Sequence, residues 1–436
     1  MLKNFGSANI VHLLHLIRLN ILGSSRRFVL KLSCRVFFSC IFVLLALHPQ
    51  IINAQIDLTV YPEISHGSFN FPAQFSLKNN KLLFLHKSSI FHLNHPHSKY
   101  YLHSYQRENM TMVTEVSSLI YNSDYLTLEL GRNFVKSGPS RYNATLFSYY
   151  TPALDQIAFN FHRIYGLDYE YRLIRLDNRQ DEIGTHKRWL YYRRLSFELG
   201  TSLVVGLKDV VLATGVQRGV DLNYVNPGAL FQLEQLHGHV ETGTLDQNND
   251  NQLMGFDIEW QCLSDLQVYG DFILDEFQID AVDRERLQDV FGLTLGVQKE
   301  FSTSELSVEY FLASPWLYTN GGMYTNVEIQ GVPLGLRNPH SEGVSIIYAH
   351  QLNGGYFNLQ VTFQHSEDQT VSTEWNSVGN KIPIFNFNEE WETELDLSLN
   401  FEQHKYLDNI RLTYDLLSSD GLYLIIGFKL FNKQSD

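Results

Sequence analysis

From Leu395 to Phe401 the chain reads Leu-Asp-Leu-Ser-Leu-Asn-Phe, apolar and polar residues in unbroken alternation. A period of two turns one face of a strand toward something apolar and the other toward water. The same pattern recurs over residues 125–130, 156–162, 193–199, 256–262, 293–301, 344–352 and 356–364. After residue 54 the chain has no apolar run of the ~20 residues that a membrane-spanning helix needs. Barrels escape that test, because their lipid-facing residues are interleaved with polar ones. Sandwiches, propellers and solenoids also alternate, but the fixed-period motifs of propellers and solenoids are missing. The reading is an all-β protein, a transmembrane antiparallel β-barrel with a lipid-facing wall and a polar lumen.

The N-terminus supports export. Arg26, Arg27, Lys31 and Arg35 flank an uncharged apolar run at 36–47 that is too short to cross a bilayer, and Ile52-Asn53-Ala54 reads as a cleavage site. Residues 1–54 are therefore expected to be a signal peptide, with a flank long enough that translation could begin after Met1. Residues 25–31 loosely match a twin-arginine signal. That route carries folded cargo, whereas barrels are exported unfolded, so an ordinary secretory signal fits better. The whole chain has 33 basic and 47 acidic residues. Six of the basic residues lie in the signal, so 27 remain against 47 acids, a formal charge of −20. Such a surface is unsuited to nucleic acid. Cys34 and Cys40 go with the signal, leaving only Cys262, so no intrachain disulfide forms. Cys262 shares parity with Phe256, Ile258 and Trp260 and is expected on the outer face as a small apolar residue.

Residues 55–108 hold Pro62, Pro72, Pro96 and scattered histidines without clean alternation. They are read as a periplasmic extension, a plug or an irregular leading hairpin. The barrel is placed at 109–436, with about 14 to 18 strands of ~10 residues. Short connections at 263–265, 353–355 and 418–421 are assigned to the periplasmic rim. Long ones at 215–251, 318–341 and 366–390 are assigned to the extracellular rim. The last strand ends in the aromatic Phe431, five residues before the C-terminus.

The sequence has no nucleophile elbow, P-loop, H-E-x-x-H or C-x-x-C element. Asp275 and Glu276 are adjacent, and neighbours on a strand point to opposite faces, so they cannot flank one glycosidic bond. His92, His95, His97 and His103 cluster in sequence without acids or cysteines at ligand spacing. No metal, cofactor or enzymatic activity is expected.

Several segments, in order, resemble a known family. Residues 131–139, Gly-Arg-Asn-Phe-Val-Lys-Ser-Gly-Pro, are similar to a G-R-x-x-x-x-x-G-P element of capsule assembly proteins of the Wzi type. Residues 146–155 fit the serine-to-proline stretch that follows it. Arg193-Arg194-Leu195 stands where members of that family begin a strand after a polar loop, and residues 221–227 match D-L-x-Y-x-N-P. Residues 251–257 and 269–277 resemble an N-x-x-x-G-F-D strand followed by one ending in acids. Gly331-Val332-Pro333-Leu334-Gly335 with Asn338-Pro339 resembles a P-L-G…G-P loop, with Asn338 in place of glycine. Ser140 likewise replaces the second glycine of G-P-G.

The resemblance covers roughly residues 125–350, and the N-terminal region does not match the helical periplasmic part of some members. It implies a non-enzymatic outer-membrane lectin of Gram-negative cells that anchors capsular or exopolysaccharide. Its other partners would be outer-membrane lipid and the barrel-assembly machinery. The residue types suit sugars: aromatic faces, hydrogen-bonding amides and acids, and arginine forks for uronic carboxylates. Arg132, Lys136, Arg141, Arg193, Arg194, Asp221, Tyr224, Asn226, Asp275, Glu276 and Trp316 are the candidate binding residues. For each, the competing role is a lumen charge ladder that stabilises the wall. A diffusion channel for small polar solutes is the second functional reading, and an outer-membrane enzyme such as a lipid A deacylase or phospholipase the third.

Overall fold

The structure is a computed structural model. It describes residues 55–60, 63–65, 68–70, 73–78, 81–92, 104–107, 110–216, 218–226, 250–276, 289–319, 324–352, 355–366, 371, 392–400, 407–415, 422–428 and 431–432. The strands in chain order are β1 (Gln55–Val60), β2 (Glu63–Ser65), β3 (Ser68–Asn70), β4 (Ala73–Lys78), β5 (Leu82–His92), β6 (Ser104–Arg107), β7 (Met110–Asn122), β8 (Leu126–Asn133), β9 (Leu154–Ile164), β10 (Leu167–Arg175), β11 (Arg179–Gln180), β12 (Thr185–Leu199) and β13 (Leu203–Val216). After a one-turn helix α1 (Leu222–Val225) come β14 (Asn251–Leu263), β15 (Leu266–Glu276), β16 (Val290–Glu300), β17 (Ser304–Ala313), β18 (Glu328–Ile329), β19 (Val332–Pro333), β20 (Ser341–Leu352), β21 (Gly355–Ser366), β22 (Glu392–Asn400), β23 (Leu407–Asp415), β24 (Leu422–Phe428) and β25 (Phe431–Asn432).

Every pairing is antiparallel. Each long strand pairs with the next long one in sequence, from β4–β5 and β5–β7 through to β23–β24. β25 pairs with β1, Leu58 opposite Phe431. The fold is of the antiparallel β-barrel class.

Residues 55–108 contribute wall strands: β1 pairs with β4, and β5 with β7. Of the three readings of 55–108, the leading hairpin is the one these pairings suit. The irregular sequence hid this because prolines fall between these strands, at 62, 72 and 96, and not inside them. The short connection expected at 418–421 lies outside the described residues.

The outward parity is apolar. Leu119, Leu130, Ile157, Leu207, Phe256, Trp260, Leu295, Val308 and Phe363 are all exposed, on strands from β7 to β21. A folded protein in water does not leave such a band uncovered. It is the surface that a bilayer covers. Cys262 is half-buried, at the shift in pairing between Gln261 and Leu263.

The inward parity is not uniformly polar, and here the structure departs from the sequence reading. Toward the long-loop rim, Leu190, Tyr192, Val210, Leu212, Leu253, Ile273, Val290 and Phe311 form one apolar core with residues of two connecting segments. These are 134–153, between β8 and β9, and 314–319 with 324–340, between β17 and β20; Leu176 and Val371 join them from two other connections. Nearer mid-height the inward residues are charged or amide-bearing: Arg194, Lys208, Asp257, Asp271, Gln298 and Glu309. An empty barrel would keep its lumen polar because water fills it. Here two segments fold inward and replace that water, so inward apolar side chains are buried rather than hydrated.

Candidate functional site

The site is the surface made where the two inward segments meet. The first is held by acids projecting from the wall. Glu309 accepts hydrogen bonds from the backbone N–H of Arg141 at 2.6 Å, Tyr142 at 3.2 Å and Asn143 at 2.8 Å. It also accepts from the Tyr269 hydroxyl at 2.9 Å and the Asn143 amide at 3.0 Å. One carboxylate thus satisfies three consecutive backbone donors that have no strand partner. Asp271 does the same for Thr145, accepting from its N–H at 3.1 Å and its hydroxyl at 2.7 Å. The Thr294 hydroxyl donates to the Asn143 carbonyl. Asp271, Thr294, Glu309 and Ser345 come from four neighbouring strands and share the face opposite the apolar belt. That shared face places 141–145 inside the barrel.

The second segment is held by Arg188, whose side chain is fully buried. Its guanidinium reaches Asp177 at 2.7 Å and Glu328 at 3.4 Å. It also donates to the carbonyls of Tyr324 at 2.9 Å, Glu328 at 3.1 Å and Asn326. Arg179 bridges Asp177 and Glu328 beside it. Nearby, His186 stacks on Tyr324 with ring centroids 4.0 Å apart. The Tyr324 hydroxyl donates to Asp181 at 2.6 Å and holds that carboxyl down at about 2, with the N–H groups of Gly184 and Ile183 and His186 adding to the effect.

The two segments then bind each other. Phe147 N–H and the Ser148 hydroxyl donate to the carbonyls of Leu334 and Gly335. The Thr151 hydroxyl reaches the Leu334 carbonyl at 2.9 Å, and the Tyr318 hydroxyl reaches the Thr145 carbonyl at 2.5 Å. Motif elements some 190 residues apart in the chain are therefore in contact. Their glycines have distinct roles. Gly138 sits at φ +79°, a left-handed conformation that a side chain resists. At Gly335 a Cβ would lie 2.1 Å from the Tyr318 oxygen and 2.2 Å from the Thr145 carbonyl oxygen. Gly335→Ala is therefore expected to force the segments apart, lowering the unfolding midpoint by several degrees. An unchanged midpoint would show that the contact is slack. Five of the seven non-glycine residues with positive φ, namely Phe147, Trp316, Tyr318, Gln330 and His340, fall in these two segments. Strained backbone of this kind persists only where its surroundings over-determine it.

An aromatic group with a cation stands on this surface. Tyr142 stacks on Tyr149 at 4.6 Å and meets Tyr150 edge-on at 5.1 Å. The Arg337 guanidinium lies 5.0 Å above the Tyr150 ring. Tyr142 is buried, whereas Tyr149 is 54% exposed and Arg337 is exposed. The exposed face of Tyr149 beside an arginine suits a sugar ring carrying an acid.

The candidates taken from sequence are dispersed. Arg132 grips Asp155 in a fork, at 2.8 and 2.6 Å. Arg194 grips Asp257 in the lumen, also as a fork, at 2.9 and 2.6 Å. Arg193, its neighbour, points outward to Asp209 at 3.2 Å. Lys136 and Arg141 are exposed on the first inward segment, with Arg141 hydrogen-bonded to Gln298 at 2.7 Å. Burial and the adjacent Arg141 push the Lys136 ammonium below its usual value. Asp275 is buried and accepts from the Tyr318 N–H at 2.6 Å. The pairing slips by one residue between Leu274 and Glu276, so Glu276 stands at a bulge and is half-buried. Trp316 is buried in the second segment. Asp221 caps α1, Tyr224 is buried on the outside of the wall, and Asn226 ends that helix. Only Lys136, Arg141 and Trp316 share the two inward segments with the tyrosines. The side chains of the 92–103 histidine cluster lie outside the described residues, and among the described residues no group of His, Cys, Asp and Glu is placed to hold a metal.

Sequence reasoning missed Glu309, Asp271 and Arg188. A signal was present: each is charged, mid-strand, and of opposite parity to the belt, as Glu309 is to Val308. Tyr149, Tyr150 and Arg337 lay inside motif segments, but their meeting is long-range and left no local trace.

The fold and lumen together define a class: an outer-membrane-type antiparallel β-barrel whose interior is occupied by its own connecting segments. No protein-family model and no curated protein sequence matches the chain. Among solved structures it is similar to Wzi, an outer-membrane protein of Escherichia coli involved in group 1 capsule assembly and described as a carbohydrate-binding β-barrel. The TM-score is 0.56 at 12% identity, over 86% of this chain and 83% of that one. It is also similar to OpdK of Pseudomonas aeruginosa, solved with vanillate, with a TM-score of 0.44, 12% identity and coverage of 87% and 98%. OpdF of the same organism, solved with glucuronate, gives 0.43, 11%, and 86% and 97%. At these identities the likeness is one of fold.

Proposed function

We propose that this protein is a non-enzymatic outer-membrane barrel of the capsule-assembly kind, exported by a cleaved signal, that holds capsular or exopolysaccharide at the cell surface. The observation that carries this reading is the dry core inside the long-loop end of the barrel. A diffusion channel requires a continuous water path, and apolar side chains from two segments stand in that path. A lectin requires the opposite, a rigid scaffold that presents rings and cations in fixed positions. The acid-pinned segments supply that scaffold. Tyr149 would stack on the C–H face of a sugar, and Arg337 would meet its acidic groups. The lipid of the outer membrane and the barrel-assembly machinery are its expected partners.

The test is binding of purified barrel to polysaccharide from the source cell. Tyr149→Ala with Arg337→Ala is expected to weaken binding by roughly tenfold or more, about 1.4 kcal/mol per decade, without moving the unfolding midpoint. Equal binding by the variant and the wild type would reject this surface. Deleting the gene should release glycan into the medium, and a normal glycan layer on the deletion strain would reject the attachment role. Steady large conductance from wild-type protein in planar bilayers would favour the channel instead.

A further inference from the structure

The connection after β13 does not stand clear of the barrel. Its residues 218–226 lie down the outside of the wall. The Trp189 indole donates to the Arg218 carbonyl at 3.2 Å. Two residues further along β12, the Tyr191 hydroxyl accepts from the Asp221 N–H at 2.7 Å. Two further still, Arg193 donates to the Asn226 carbonyl at 3.1 Å. Trp189, Tyr191 and Arg193 all have outward parity. The segment therefore descends about 13 Å of strand, at ~3.3 Å per residue. Tyr224 is buried beneath it against Tyr171, Tyr191, Val211 and Ala213. Its hydroxyl donates to Asp250 at 2.9 Å, and Arg218 binds the same carboxylate at 2.9 Å.

The height of this flap follows from the strand register. Tyr191 pairs with Leu173, Leu173 with Ile157 and Ile157 with Leu130. Ile157 and Leu130 are exposed belt residues. On the other side Arg193 pairs with Asp209, and Asp209 with Met254, again an exposed belt residue. Strand tilt raises one side of a row and lowers the other, so a belt on both sides puts the flap at belt level. The flap also shields an ion pair, Arg193–Asp209, that would otherwise face hydrocarbon at a cost of several kcal/mol. Its own outer surface continues the belt: Leu222 is 77% exposed and Val220 is also exposed. Of its polar side chains, Arg218 and Asp221 pair with each other and Arg218 with Asp250, while Asn223 and Asn226 are exposed at the edge of the apolar surface.

We infer that residues 218–226 form a lipid-facing flap seated in the outer-leaflet interface, with Leu222 and Val220 against lipid. The flap is a surface of the protein toward the membrane and does not depend on glycan binding. The test uses the full chain with Cys262→Ala, which leaves the exported protein free of thiols. A single cysteine is placed at Leu222, at Phe256 in the belt, or at Ile183 in the 176–184 connection, and each is spin-labelled in phosphatidylcholine vesicles. Collision with oxygen, which concentrates in lipid, is compared with collision with a water-soluble nickel chelate. The oxygen-to-nickel ratio at Leu222→Cys should stand several-fold above that at Ile183→Cys and approach that at Phe256→Cys. A ratio at 222 equal to that at 183, with a high ratio at 256, overturns the flap while leaving the barrel in the membrane. A watery Phe256→Cys overturns both. Heat-modifiable gel migration confirms that each variant is folded.

Discussion

Glu309→Ala is expected to release the first inward segment and make the barrel leak. Glu309 is fully buried, and its carboxylate is the acceptor for the amides of residues 141–143 and for Tyr269. No other carboxylate is bonded to those three amides among the described residues. Alanine strands them, at about 1–3 kcal/mol for each amide that water fails to reach. Water will reach some, and it can do so only by entering the lumen. Two outcomes therefore go together: an unfolding midpoint lowered by many degrees, and conductance in planar bilayers where the wild type is quiet. Glu309→Gln keeps one acceptor oxygen and should fall between. A Glu309→Ala barrel with wild-type midpoint and wild-type conductance would mean that the segment is held by its apolar contacts alone.

The second large effect is at Arg188. Replacing it with methionine keeps much of the volume and removes the charge. It leaves Glu328 and Asp177 with Arg179 as their cation, removes the guanidinium from the carbonyls of 324 and 328, and leaves the carbonyl of 326 with the Glu328 N–H alone. Breaking a buried pair from one side costs about 3–5 kcal/mol, because the stranded charge remains buried. Arg188→Met is expected to show that loss in urea unfolding, with new protease cleavage in the 324–336 stretch. Adding Glu328→Gln should restore part of the loss by removing the stranded charge. If the single variant unfolds at the wild-type urea concentration, the guanidinium is not what pins the second segment.

These two residues illustrate how far sequence reaches. Alternation around Phe256, Leu295 and Val308 revealed the strands, their parity and the lipid-facing side, because in a strand the next residue always faces the other way. Alternation reports only that Glu309 faces inward. It cannot report that a segment 166 residues earlier in the chain lies there to be bound. The adjacent Arg193 and Arg194 show the same limit. The sequence puts them on opposite faces, and only the structure covers Arg193 with a flap and turns Arg194 to Asp257. The first strands were harder to read because β1 and β4 are six residues each, bounded by prolines, and supported by pairing with β25 and β5 rather than by a pattern of their own.

The amino-acid order alone determined that this protein is an antiparallel sheet with an apolar side and reverses at short and long connections by turns. Strand periodicity is a local property, set residue by residue along the backbone. The tertiary structure decided what fills the ring and what covers its outside. Those contacts join Glu309 to Asn143, Arg188 to Asn326 and Tyr171 to Tyr224. Each is a meeting of groups far apart in the chain, so its energy depends on burial and hydrogen-bond geometry that exist only once the sheet has curled.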